Sequence, residues 1–149
     1  MQALCQLEVL GDEWMSQLAE FVADESDTSA VQDYARGLVT GAWARLSDID
    51  ERIQSASQHW DVKRMTAVDR NILRMAVQEL HAAGAVVPPR VVIDEAIEIA
   101  KTFGNVDSPA FINGILDAIL KSNAGPAPET TADDTPADSA IQEADLGTL

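Results

Sequence analysis

Apolar residues recur along the chain at steps of three and four, the spacing of helices with one buried face. Ala3, Leu4, Leu7 and Leu10 form the first stripe, predicting a helix over about Gln2 to Leu10 that Gly11-Asp12 breaks. A second helix is predicted over Glu13 to Ala23, with Met15, Leu18, Ala19 and Val22 turned inward. Asp27, Thr28 and Ser29 are good N-cap types ahead of the strongest stripe, Val31, Tyr34, Ala35, Leu38, Val39, Ala42, Trp43 and Leu46. Gly37 and Gly41 lie four apart on that helix, a spacing that would let a neighbour approach closely. Ser47 with Asp50 reads as a variant capping box opening a helix with Ile49, Ile53 and Ala56 inward, closed by Trp60.

The second half repeats the pattern. Thr66 with Asp69 marks a helix start, followed by Val68, Ile72, Leu73, Ala76, Val77 and Leu80, with Gly84 as its end. Pro88-Pro89 sets the next boundary. Val91 to Ile93 alone could read as a strand, but the longer run to Lys101 fits a helix ending at Gly104. Ser108-Pro109 gives an N-cap serine and a first-turn proline, and Phe111, Ile112, Ile115, Leu116, Ile119 and Leu120 form the last stripe. There is no strand–helix alternation and no internal repeat. The expectation is an all-α bundle of about seven helices over residues 1–122.

Beyond that point the character changes. Residues 123–149 carry Pro126, Pro128, Pro136 and six acids but no Lys or Arg. Such a segment buries too little apolar surface to offset its ordering entropy, so a disordered acidic tail is expected. The 149-residue chain has 10 basic and 25 acidic residues, a net charge of −15, of which the part before the tail carries −9. A protein this acidic repels phosphate backbones at long range. Any nucleic-acid binding therefore needs a local basic patch, stacking contacts, or a partner that brings positive charge. Neither a signal peptide nor a membrane-length apolar run is visible, which makes a cytoplasmic protein without membrane attachment the expectation.

The search for catalytic chemistry is unproductive. Cys5 is the single cysteine and falls on an apolar stripe, as a small buried hydrophobe would. His59 and His81 stand in no metal-ligand spacing, and there is no glycine-rich phosphate loop. Asp94, Glu95 and Glu98 could pair for acid–base work, but acids near a helix start ordinarily complement its dipole. No enzyme, metal or cofactor is expected. Lys63, Arg64, Arg70 and Arg74 form the one basic cluster, available to a partner or simply solvated.

Recognition enters in the C-terminal half. Asp69-Arg70-Asn71-Ile72-Leu73-Arg74-Met75-Ala76, Glu79-Leu80, Val87-Pro88-Pro89, Ile93 to Lys101, Phe103-Gly104 and Asp107-Ser108-Pro109-Ala110-Phe111-Ile112-Asn113-Gly114-Ile115-Leu116-Asp117 follow in order. This series resembles the signature of the NusB family, strongly from residue 65 onward and weakly before it. The resemblance implies a helical bundle that pairs with NusE, a small-subunit ribosomal protein, binds the boxA segment of nascent RNA, and joins the RNA polymerase antitermination complex, regulating transcription termination. It implies a place near the RNA for Asp107 and near the RNA–NusE surface for Asp69; Ser108, Phe111 and Asn113 beside the same turn, with Arg70 and Arg74 of the basic cluster, are further RNA-binding candidates, and Arg64 is a NusE-binding candidate. An aromatic such as Phe111 near a helix start could stack on an unpaired base, though it also fits the core stripe; Asn113-Gly114 could equally serve helix packing.

Two departures stand out. Family members usually carry an arginine-rich segment before and within the first helix, whereas this sequence opens at Met1-Gln2-Ala3-Leu4, where that segment would already have ended. The family often has tyrosine where Cys5 stands. Two explanations compete, a true start upstream of Met1 or the loss of much of the RNA affinity, and an amphipathic helix that starts uncapped at residue 1 favours the first as the expectation. The alternative function is a protein-interaction module of the same fold with weakened or lost RNA binding. Some members also form homodimers that cover their RNA surface.

Overall fold

The computed structural model describes residues 1–82 and 87–123, which form seven α-helices and two short 3-10 turns, with no strand among them. In chain order these are α1 (Gln2–Leu10), a first 3-10 turn (Asp12–Gln17), α2 (Leu18–Glu25), α3 (Ser29–Ala44), α4 (Leu46–Ala56), a second 3-10 turn (Val62–Arg64), α5 (Ala67–His81), α6 (Pro89–Phe103) and α7 (Ser108–Asn123). The all-α expectation holds. The acidic tail and the Gly84 helix stop lie outside the described residues.

Local chemistry explains most boundaries. α1 ends at Gly11, whose φ of 75° is a conformation that side chains rarely adopt. The Thr66 hydroxyl accepts the Asp69 amide at 3.1 Å, capping α5 as its sequence predicts. Pro89 occupies the first turn of α6, where its missing N–H costs nothing.

Other expectations are corrected. The segment from Glu13 to Ala23 is not one helix: a 3-10 turn precedes α2, and Ala19 is exposed. Trp43 Nε1 donates to Asp12 at 2.6 Å, which ties this turn to α3. Ser47 does not cap α4, which already begins at Leu46 with no side-chain cap; Asp50 instead turns toward Arg74. Trp60 stands beyond the end of α4. Val31 and Tyr34 lie on the predicted stripe of α3 yet remain about half exposed. A Cβ on Gly41 would meet Gln78 at 2.5 Å, so α3 and α5 do approach there, whereas Gly37 and Gly114 face open space.

Helix α5 is the hub. It packs against α1, α3, α4, α6 and α7, and buries Ile72, Leu73, Ala76 and Val77 almost completely. Leu4 and Leu7 from α1, Ile49 and Ile53 from α4, and Ile112 and Leu116 from α7 complete the interior. Each such side chain contributes about 1.5–3 kcal/mol by leaving water.

The polar face of α5 is also internal. Arg74 Nε and Nη2 donate to the two carboxylate oxygens of Asp50 at 2.7 Å each, and Nη1 reaches Asn71 Oδ1 at 3.1 Å. Arg70 Nε donates to Glu8 at 2.8 Å, and its Nη1 to the carbonyls of Met65 and Val62 at 2.8 and 3.2 Å. Asn71 Nδ2 donates to the other Glu8 oxygen at 2.7 Å. Two arginines thus meet two carboxylates and clamp α1, α4 and the second 3-10 turn onto α5. Burial alone would discourage charge on Arg74, but the hydrogen bonds and charges of Asp50 and then Glu8 outweigh it, holding its pKa above the ordinary value.

A second polar tie joins α3 to α5, where the Tyr34 hydroxyl donates to Glu79. Desolvation, with the hydrogen bond to and charge of Glu79, pushes its pKa up to about 12.

Arg74→Met should lower stability by about 2–4 kcal/mol, because it strands Asp50 in a half-buried site without its cation and leaves Glu8 to Arg70 alone. Arg74→Lys should recover only part of this, since an ammonium cannot make the paired contact with Asp50. Urea unfolding reads both, and a Met variant as stable as the parent would remove the clamp from the account. Tyr34 is the sole tyrosine, so the ultraviolet titration of tyrosinate reports it alone. The absorbance should stay flat through pH ~10, the ordinary tyrosine value. The stabilisation from Tyr34 is complete below that pH and is lost as pH climbs toward about 12.

Candidate nucleic-acid interface

The turn between α6 and α7 is built tightly. Ser108 is buried, and its hydroxyl accepts the Asn105 amide at 2.9 Å. A Cβ at Gly104 would stand 2.6 Å from the Ser108 hydroxyl and 2.7 Å from the Ala100 carbonyl, so the turn closes only around glycine. Asp107 is left exposed just before α7, and Phe111 follows one turn into the helix, half-buried.

Across from this turn lies the start of α5. Between the two runs a groove of about 260 Å³. Asn105, Asp107, Ser108 and Phe111 line one wall, and Arg64, Met65, Thr66 and Asp69 the other. Trp60 closes one side, with its ring edge-to-face with Phe111 at a centroid distance of 6.2 Å. Asp69 is 7% exposed, and its Oδ1 is buried without a hydrogen-bond partner among the described residues.

Five residues singled out from the sequence therefore meet: Asp69 and Arg64 from the α5 side, Asp107, Ser108 and Phe111 from the α7 side. Ser108 serves the turn itself, since its hydroxyl is committed to Asn105. Asn113 is exposed on α7 but does not line the groove. Arg70 and Arg74 need a correction. Their guanidinium groups are engaged with Glu8, Asp50 and backbone carbonyls, and Arg74 is 5% exposed. They shape the interior instead of reaching toward a ligand. Of the basic cluster only Lys63 and Arg64 stay exposed, and neither makes an ion pair among the described residues.

Sequence reasoning missed Trp60 as part of the site, treating it only as a helix end. The available signal was an aromatic off the helical stripe, three residues before Lys63-Arg64. It also passed over Phe103 and Val106, which are 50% and 92% exposed beside the α6–α7 turn. A larger groove of about 560 Å³ between α4 and α7 gathers none of the predicted residues. Among the described residues no group of His, Cys, Asp or Glu is arranged to hold a metal, and no helix is long and apolar enough to cross a membrane.

Comparison with known proteins identifies the family. The model of the NusB family matches residues 1–121. The transcription antitermination protein NusB of Geobacter sulfurreducens is 49% identical over 107 residues, covering 70% of this chain and 77% of that protein. The crystallised T. maritima NusB superposes with a TM-score of 0.73 at 40% identity, over 80% of this chain and 84% of that one. A chain in the crystal structure of a plectonemic RNA supercoil superposes equally well, TM-score 0.73, at 25% identity over 84% of this chain and 91% of that one. A shared bundle, a family match over nearly all of the described residues, and this level of identity lead to one conclusion: the chain belongs to the NusB family.

Proposed function

We propose that this protein is a transcription antitermination factor that pairs with NusE and, in that pair, binds boxA of nascent ribosomal RNA as part of the RNA polymerase antitermination complex. The observation that carries the reading is the convergence of Asp69, Asp107 and Phe111 on one groove, although the chain separates the first from the others by about 40 residues. Phe111 offers an aromatic surface for an unpaired base. Asp107 and Asn113 are exposed hydrogen-bonding groups on the same end of α7. Asp69 at the groove wall and Arg64 on the rim beside it mark the side on which NusE would sit. Support also comes from the names of the relatives and from a structural neighbour crystallised with RNA.

Net charge shapes the division of labour. At −15 the chain gains little from counterion release on its own, so the partner supplies most of the attraction to phosphate. The role is regulatory binding in the cytoplasm, with no chemistry performed on the RNA. A second reading, an interaction module with weakened RNA binding, is favoured by one specific observation: Arg70 and Arg74 are consumed internally. Self-association through the groove would compete with RNA.

The test is a gel shift of boxA RNA with NusE alone and with the pair, at one fixed salt concentration. The pair should bind about tenfold or more tighter than NusE alone, and Phe111→Leu should remove about tenfold of that gain. No gain from the pair would overturn the RNA reading, and intact NusE binding in the same experiment would then establish the interaction module.

A further inference from the structure

Trp60 is 58% exposed, an unusual position for the largest apolar side chain. Its place is fixed from below. The Trp60 carbonyl accepts Ser57 Oγ at 2.8 Å and Gln54 Nε2 at 3.1 Å, and its amide donates to the Ser57 carbonyl at 2.7 Å. Downstream, Gln54 Oε1 accepts the Val62 amide at 3.0 Å, and Asp61 accepts the Lys63 amide at 2.9 Å. The peptide that carries the indole is therefore rigid, and the ring is held out of the core by a built turn.

Trp60 also divides two grooves. On one side is the Asp69–Phe111 groove; on the other is a second groove of about 520 Å³ lined by Gln54, Gln58, His59, Asp61 and Lys63. The edge-to-face contact with Phe111 occupies at most one face of the indole, leaving flat aromatic surface available. Lys63 and Arg64, the exposed cations of the former basic cluster, flank it, one in each groove. Aromatic surface interleaved with unpaired cations is the arrangement that holds single-stranded nucleic acid, with bases stacking and phosphates following the positive groups.

We propose that Trp60 is a stacking platform for an unpaired RNA base, and that the RNA track runs on from the Phe111 groove, over the indole, into the Lys63–His59 groove. This rests on the reading of the protein as an RNA-binding NusB-type factor. Lys63 contacts a phosphate in the second groove. The occupant is single-stranded RNA because an exposed flat ring stands between Lys63 and Arg64, two cations without an ion pair among the described residues, while Asp61, Asp69 and Asp107 in the same grooves leave phosphates only the cation side.

The experiment uses the full chain with NusE and fluorescein-labelled boxA RNA, followed by anisotropy. Trp60→Leu, which keeps an apolar contact but cannot stack, should weaken binding about tenfold, and Trp60→Phe should stay within about threefold of the parent. Lys63→Gln should lower the slope of log affinity against log salt by about one. RNA should quench tryptophan fluorescence in the parent and not in Trp60→Phe, because Trp14 is buried and Trp43 is half-buried on Asp12. Unchanged urea midpoints confirm that the variants are folded. If the parent pair binds RNA and Trp60→Leu binds it equally well, this inference is wrong while the RNA reading stands. If the parent pair does not bind RNA at all, both fall. If Trp60→Leu weakens NusE binding without RNA present, the platform serves the protein partner and the inference is overturned.

Discussion

The fold depends on how α5 handles its two arginines. A guanidinium placed among packed helices must find carboxylates, because an unpaired buried charge costs several kcal/mol. Arg74 takes Asp50 from α4, and Arg70 takes Glu8 from α1 together with the carbonyls of Met65 and Val62. Non-directional apolar contacts would let α1 and α4 slide over α5. The paired, planar contact of Arg74 with Asp50 allows one register. The same carbonyl contacts hold the second 3-10 turn, and through it the segment that presents Trp60, Lys63 and Arg64.

The candidate interface follows from that clamp. One wall comes from the capped start of α5 and the other from the turn into α7, closed around Gly104. The two walls set against each other leave a groove with aromatic sides and a cation, Arg64, at its edge. Rigid elements on both sides mean that the groove itself would lose little ordering entropy on taking a ligand.

Charge explains why such a protein would act in company. The acids outnumber the bases widely, and the clamp withdraws two of the few arginines from the surface. Long-range attraction to a polyanion is therefore weak. A partner with positive charge complements this surface in two ways: it is attracted to the acidic exterior, and it brings the phosphate contacts that the exterior lacks.

The sequence by itself determined the helices and the family. Period-3.6 stripes, Thr66, Pro89 and the Ser108-Pro109 start are local signals, legible because helix formation is decided within a few turns. The NusB-like series from Asp69 to Asp117 named the region in which Asp69, Asp107 and Phe111 would matter. Only the tertiary structure decided which charged groups are free. Arg70 and Arg64 look alike on the page, yet one meets Glu8 from 62 residues away and the other lies exposed. Nothing within a helical turn of Arg70 foretells that. Trp60 was illegible for the same reason: its exposure depends on Ser57 and Gln54 holding its carbonyl, and its ring meets Phe111, which reaches it from α7. Pairing and exposure are properties of elements brought together from distant parts of the chain, and local periodicity carries no record of them.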